Sequence, residues 1–129
     1  MQTVTKLPEA EYELMQIVWS CDPPMSTLDI YQRQGEGKKL KIQSIMTLLL
    51  RLIKRGFLRT EKRGKNRIYY PLIEREDYLK FETDRFVRRF YYGSGQDLVA
   101  ALYQGKKVSA DELDKIADMV DNIGENSSK

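Results

Sequence analysis

The chain has no histidine, one cysteine and no long apolar run, and each absence removes a class of function. Without histidine, the usual zinc sites and the imidazole bases of hydrolytic triads cannot be assembled. The single thiol, Cys21, cannot close an intramolecular disulfide. At the end of a helical stretch it reads as a small, semi-buried residue and not as a redox sensor. The most apolar stretch, Ile45 to Ile53, is broken by Thr47 and Arg51 and falls far short of the roughly 20 residues that span a bilayer, so no membrane insertion is expected. The opening MQTVTKLPEAEYE has no basic segment leading into an apolar run, which argues against a secretory signal and for a cytoplasmic location. No glycine-rich phosphate loop is present, and the acidic residues are scattered. An enzyme is therefore not expected, nor a metal or a cofactor.

What the sequence does have is charge, unevenly placed. With 129 residues, 41% hydrophobic and 32% charged, the composition is that of a globular chain with a charge-rich surface. Residues 1–72 carry 13 Lys and Arg against 7 Asp and Glu, whereas residues 73–129 carry 9 against 12. Two halves of opposite sign suggest two tasks. Within residues 38–67 there are 11 basic residues and a single acid, Glu61. Such a density suits a polyanion, which binds by releasing the counterions condensed on its phosphates.

The elements follow from apolar spacing and its punctuation. EAEYELMQIVWS sets Leu14, Ile17 and Val18 at helical spacing, with Glu9 and Glu11 in a first turn where the helix dipole favours acids. Asp22-Pro23-Pro24 stops that helix, and Ser26 with Asp29 has the spacing of a variant capping box for a second helix over about Thr27 to Gln34. Beyond the turn Gly35-Glu36-Gly37, the residues Ile42, Ile45, Leu48, Leu49, Leu52 and Ile53 mark one apolar face of a third helix around 41–55, closed by Gly56 as a left-handed cap. LRTEKRGKNRIYYPL gives two β-prone arms about Arg63-Gly64-Lys65-Asn66, where Gly64 or Asn66 can take positive φ. Three short helices, the last two in helix-turn-helix order, followed by a basic hairpin make a winged helix.

From Glu74 the pattern is helical again, with Tyr78, Phe81, Phe86, Val87 and Phe90 on an aromatic face and Gly93 and Gly95 at its break. A shorter helix over about Gln96 to Tyr103 carries Leu98, Val99 and Leu102. Ser109 and Glu112 form a capping box that opens a last helix, whose stripe Leu113, Ile116, Val120 and Ile123 stops at Gly124. The fold expected is mainly α with a small β-hairpin wing. A winged-helix domain would cover residues 1–72, a helical dimerisation region 73–124 and a disordered tail 125–129. Three amphipathic helices in under sixty residues cannot easily bury their own stripes. A homodimer is therefore expected, with Leu98, Leu102, Leu113, Ile116, Val120 and Ile123 at the interface; packing back on the winged helix is the alternative.

On the third helix the polar Gln43, Ser44, Thr47, Arg51, Lys54 and Arg55 lie opposite the apolar stripe. Side chains near the start of a recognition helix reach base edges, so Gln43, Ser44, Met46 and Thr47 are the candidate readers of double-stranded DNA. Glutamine can pair bidentately with adenine, the hydroxyls can donate or accept, and Met46 can touch thymine methyls. Arg51, Lys54 and Arg55, with Lys62, Arg63, Lys65 and Arg67 on the hairpin, suit phosphates, which position the protein without specifying sequence. A winged-helix module that binds protein through the same surfaces is the competing reading, and the density of the basic segment weighs against it.

EAEYELMQIVW, SIMTLLLRLIKRGFL, the wing's Tyr69-Tyr70-Pro71-Leu72, the junction FYYGSGQDLVAAL and the closing SADELDKI together resemble the penicillinase and methicillin-resistance repressors, the BlaI/MecI/CopY family, over nearly the whole chain. The resemblance implies a homodimeric transcriptional repressor, bridged by its C-terminal helices, on a palindromic operator of a β-lactam-resistance-type operon. Two recognition helices would meet successive major grooves ~34 Å apart. Release would follow an inducer signal that disrupts the dimer, which in that family is proteolysis by a membrane-bound sensor protease. The chain departs from the pattern in places. Where the methicillin-type repressors carry a Lys-Thr pair and an Arg on the recognition helix, it has Gln43, Ser44 and Met46. The family's Asn-Phe cleavage pair is replaced by Ala101-Leu102, and the paired Cys-x-Cys motifs of the copper-responsive branch are missing.

Overall fold

Pro8 precedes the first helix, and acids at Glu9 and Glu11 favour its positive end. In a computed structural model, which describes residues 4–37 and 39–127, this helix is α1 (Glu9–Ser20), and it buries Glu11, Leu14, Met15 and Val18 along one stripe. Cys21 is buried after it, its thiol donating to the Ile17 carbonyl at 3.2 Å. The proline pair leads into β1 (Met25–Ser26), a two-residue strand that the sequence did not suggest. Ser26 then caps α2 (Thr27–Gln32) in a full capping box: its hydroxyl accepts from the Asp29 N–H at 3.1 Å, and its own N–H donates to the Asp29 carboxylate at 2.9 Å. Those donors hold the Asp29 carboxyl below its ordinary range.

Helix α2 ends at Gln32, two residues before the expected Gln34, whose side chain braces the connection that follows. Its Oε1 accepts from the Leu40 N–H at 2.7 Å and its Nε2 donates to the Leu40 carbonyl at 3.0 Å, pinning the loop into α3 (Ile42–Lys54). Ile45, Leu48, Leu49 and Leu52 turn inward. Gly56, at φ 84°, supplies the left-handed residue that lets the Gly56 N–H reach the Ile53 carbonyl at 3.0 Å and the Phe57 N–H reach that of Leu52 at 2.9 Å. This paired closure is a Schellman motif. Strands β2 (Leu58–Arg63) and β3 (Asn66–Pro71) form the hairpin, with Gly64 at φ 63° in its two-residue loop. The antiparallel sheet has the order β1-β3-β2, Met25 lying opposite Tyr69 and Thr60 opposite the same residue on the other side.

The remaining elements are α4 (Arg75–Tyr91), α5 (Gly95–Gln104) and α6 (Ala110–Ser127). The start of α4 completes the winged-helix core. Tyr78 is fully buried, its ring within 5.6–6.0 Å of those of Tyr12, Trp19, Phe57 and Phe81. Its hydroxyl accepts from the Leu7 N–H and donates to Glu82, each at 2.9 Å. Burial, reinforced by Glu82, pushes the phenol up to about 12. Trp19 donates its indole N–H to the Ile73 carbonyl at 2.9 Å.

The chain forms two compact units, one up to Glu82 and one from Thr83. The division falls ten residues beyond the expected 72/73 boundary because Tyr78 and Phe81 belong with the first core. In the second unit Tyr92 (φ 49°) and Gly93 (φ 83°) break the helix, Ser94 caps α5, and Ser109 and Glu112 make the anticipated capping box with both bonds at 3.1 Å. Helix α6 does not stop at Gly124. It continues through that residue to Ser127, so residues 125–127 of the expected tail are helical, while 128 and 129 lie outside the described residues. A helical glycine weakens a helix by about 1 kcal/mol relative to alanine without ending it. From Thr83 onward none of the described side chains is buried.

Candidate nucleic-acid interface

A helix turns about 100° per residue, so the inward Ile45, Leu48, Leu49 and Leu52 fix what α3 presents outward. Gln43, Thr47, Leu50 and Lys54 run down the middle of its outer face, with Ile42 and Met46 on one flank and Ser44 and Arg51 on the other; all eight are exposed. The Thr47 hydroxyl donates to the Gln43 carbonyl at 3.0 Å. That bond commits its proton to its own helix, leaving an acceptor lone pair and a methyl to face outward. Two residues depart from the expected pattern. Ile42, assigned to the apolar face, is 39% exposed, and Leu50, assigned no role, is 67% exposed at the centre of the outer face. Its angular position alone was a usable clue.

Arg55 requires a correction. Its Nε donates to Glu11 Oε1 at 2.6 Å, and a second nitrogen lies 3.5 Å from Oε2. Glu11 is 2% exposed, and a carboxylate at that depth must be paired. Arg55 therefore ties the end of α3 to α1 and belongs to the scaffold, leaving Arg51 and Lys54 as the cations of the helix that have no carboxylate partner among the described residues. Glu11 looked like a dipole-favoured first-turn acid. Its partner lies 44 residues away, and no local pattern announces it.

On the wing, Glu61 is neutralised by Arg59 at 2.6 Å, and the same guanidinium lies 3.8 Å from the centre of the Tyr70 ring. This cross-strand stack, with Arg59 opposite Tyr70, is a second arrangement that the sequence reading missed. Lys62, Arg63, Lys65 and Arg67 are exposed and have no carboxylate partner among the described residues. Lys62 stands directly opposite Arg67 across the hairpin. Like charges in that register repel, and an anion between them would relieve the repulsion. The structure thus brings the wing candidates together at one tip, formed by strands whose other ends enter the core.

In the second unit Leu98, Leu102 and Leu113 are half-buried, whereas Ile116, Val120 and Ile123 are 43%, 59% and 62% exposed. Phe86, Phe90 and Met119, which were not among the interface candidates, are exposed as well. Ala101 and Leu102 lie inside α5, their carbonyls accepting from the N–H groups of Gly105 and Lys107 at 2.9 Å each. A bond held in a helix is not in the extended form that enters a protease cleft.

Residues 7–122 match the penicillinase repressor family. The chain belongs to it. Its relatives include the penicillinase repressor of Bacillus licheniformis, 28% identical over 116 residues that cover 90% of each chain. The methicillin resistance regulatory protein MecI of Staphylococcus aureus is 29% identical over 116 residues, covering 89% of this chain and 93% of MecI. Among solved structures, the DNA binding domain of the repressor BlaI is similar, with a TM-score of 0.51 and 31% identity over 60% of this chain and 94% of that one. The penicillinase repressor family thus accounts for the winged helix, and the chain is a repressor and not an enzyme. No helix among the described residues is long and apolar enough to cross a membrane.

Proposed function

We propose that this protein represses transcription as a homodimer by lying on a palindromic operator, each protomer presenting the outer face of α3 to a major groove and its wing to the flanking phosphates. The observation that carries this reading is the pairing of an exposed α3 face bearing Gln43, Ser44 and Thr47 with wing cations that have no carboxylate partner among the described residues, on a winged helix of the penicillinase repressor family. The similarity to the DNA binding domain of BlaI supports it. In this reading Gln43, Ser44, Met46 and Thr47 read base edges, and Arg51, Lys54, Lys62, Arg63, Lys65 and Arg67 grip the backbone.

Dimerisation is supported by the second unit, which has amphipathic helices and no buried side chain among those described. A second copy would cover Ile116, Val120 and their neighbours on the same face. Linking two readers raises the effective concentration of the second half-site, so disrupting the dimer returns each to weak binding. The names of the relatives favour a β-lactam-resistance-type operon as the target. Release by a sensor protease at Ala101-Leu102 would require α5 to open locally first. Sedimentation of the full chain with duplex DNA at rising salt tests the proposal. A dimer whose affinity falls steeply with salt, with a log-log slope of about −0.9 per phosphate neutralised, is expected; a monomer with salt-insensitive binding would refute it.

A further inference from the structure

Ile42, Met46 and Leu50 follow one another at intervals of four on α3 and are 39%, 49% and 67% exposed. Residues so spaced form a ridge along a helix surface. The ridge starts in the first turn and reaches the centre of the outer face, so three large apolar side chains adjoin Gln43 and Thr47 on the surface assigned to the major groove. An exposed leucine alone needs no explanation. Three in register on a reading face do, since each is a cost in water without an apolar partner.

The polar groups point to the same partner. The stretch of α3 from Ile42 to Leu50 contains no Lys or Arg, the side chains that pair with the O6 and N7 acceptors of guanine. The one bidentate group there is the Gln43 amide, which matches the N6 and N7 edge of adenine. The Thr47 hydroxyl, its proton held by the Gln43 carbonyl, adds a methyl to the apolar strip. On an A·T pair, adenine offers the pattern glutamine reads, and thymine places a C5 methyl beside it in the same groove.

Building on the operator-binding reading, we propose that the ridge of Ile42, Met46 and Leu50 recognises the 5-methyl groups of thymines, so that the protein selects A·T-rich half-sites largely by apolar contact. Sites selected by the full-length protein from randomised duplex DNA should contain thymine at fixed positions in each half. Replacing those thymines by uracil, which removes only the methyl, should weaken binding about fourfold per methyl. In Met46→Ala and Leu50→Ala the uracil penalty should shrink towards onefold at the matching position, with the salt slope unchanged, and exposure of both residues keeps the fold out of the readout. Uracil that binds as well as thymine, or a penalty equal in the parent and both variants, overturns the ridge proposal while leaving DNA binding intact. Failure to bind any duplex in a salt-dependent way overturns the operator reading itself.

Discussion

Arg55 and Lys54 are neighbours of like charge at the end of α3, and the structure gives them opposite tasks. Arg55→Ala strands the Glu11 carboxylate, which is 2% exposed. Breaking a buried ion pair from one side costs about 3–5 kcal/mol when both partners are dry. The Arg55 side chain is 36% exposed, and screening by water reduces the loss to about 2 kcal/mol. For a unit of this size the melting temperature should fall by about 8–16 °C. Lys54→Ala removes an exposed cation with no carboxylate partner among the described residues, so stability should stay within about 0.5 kcal/mol. DNA binding reverses the order: Lys54→Ala should flatten the log-log salt slope by about 0.9, and Arg55→Ala, measured below its lowered melting temperature, should leave the slope unchanged. Replacing Glu11 together with Arg55 by apolar residues should recover part of the lost stability, because no stranded charge remains. Thermal unfolding by circular dichroism and salt-titrated anisotropy with labelled duplex read both quantities. An Arg55→Ala protein with an unshifted melting temperature and a salt slope flattened like that of Lys54→Ala would refute the assignment.

Tyr78→Phe leaves the Leu7 N–H without its acceptor and should cost about 1–3 kcal/mol by denaturant titration. The phenol is raised from its ordinary value of 10.0 to about 12 in the fold, so the folded state holds that proton more tightly than the unfolded chain. The stability Tyr78 adds is complete below pH 10 and is lost as pH rises towards 12; the parent should therefore lose stability over that window more steeply than Tyr78→Phe. Val120→Asp, at a position 59% exposed in the single chain, should leave the helical spectrum intact, convert the sedimenting species to a monomer and weaken binding to a two-half-site duplex by about a hundredfold. Gly56→Ala forces a side chain into the left-handed region at φ 84° and should lower stability by about 1–2 kcal/mol without changing the salt slope.

Local chemistry was legible in the sequence. The Ser26 and Asp29 capping box, the Gly56 closure, the Gly64 turn and the Ser109 and Glu112 box all depend on residues within a few positions of each other, and all are present. What was not legible is long-range. The strand Met25–Ser26 is too short to show a period and exists because β3 lies beside it. Glu11 finds Arg55 only once α1 and α3 pack, and Tyr78 meets the rings of Tyr12, Trp19 and Phe57, all distant in sequence, only in the folded core. At the interface, the polar side of α3 and the wing tip were readable from periodicity and charge. The apolar spacing of Ile42 suggested an inward residue, yet its place at the open end of the helix leaves it 39% exposed. A leucine inside an apolar run does not look like a surface residue, so at Leu50 only the angular position on α3 marked the exposure.

In the proposed complex two copies of α3 meet two halves of one operator. Footprinting of the full-length protein on a duplex selected from random sequence tests it most directly. Two protected major grooves are expected on one face of the DNA, related by a dyad and about 34 Å apart from centre to centre, both lost together as protein is diluted. A single asymmetric footprint at every concentration, or none on any selected sequence, would contradict it.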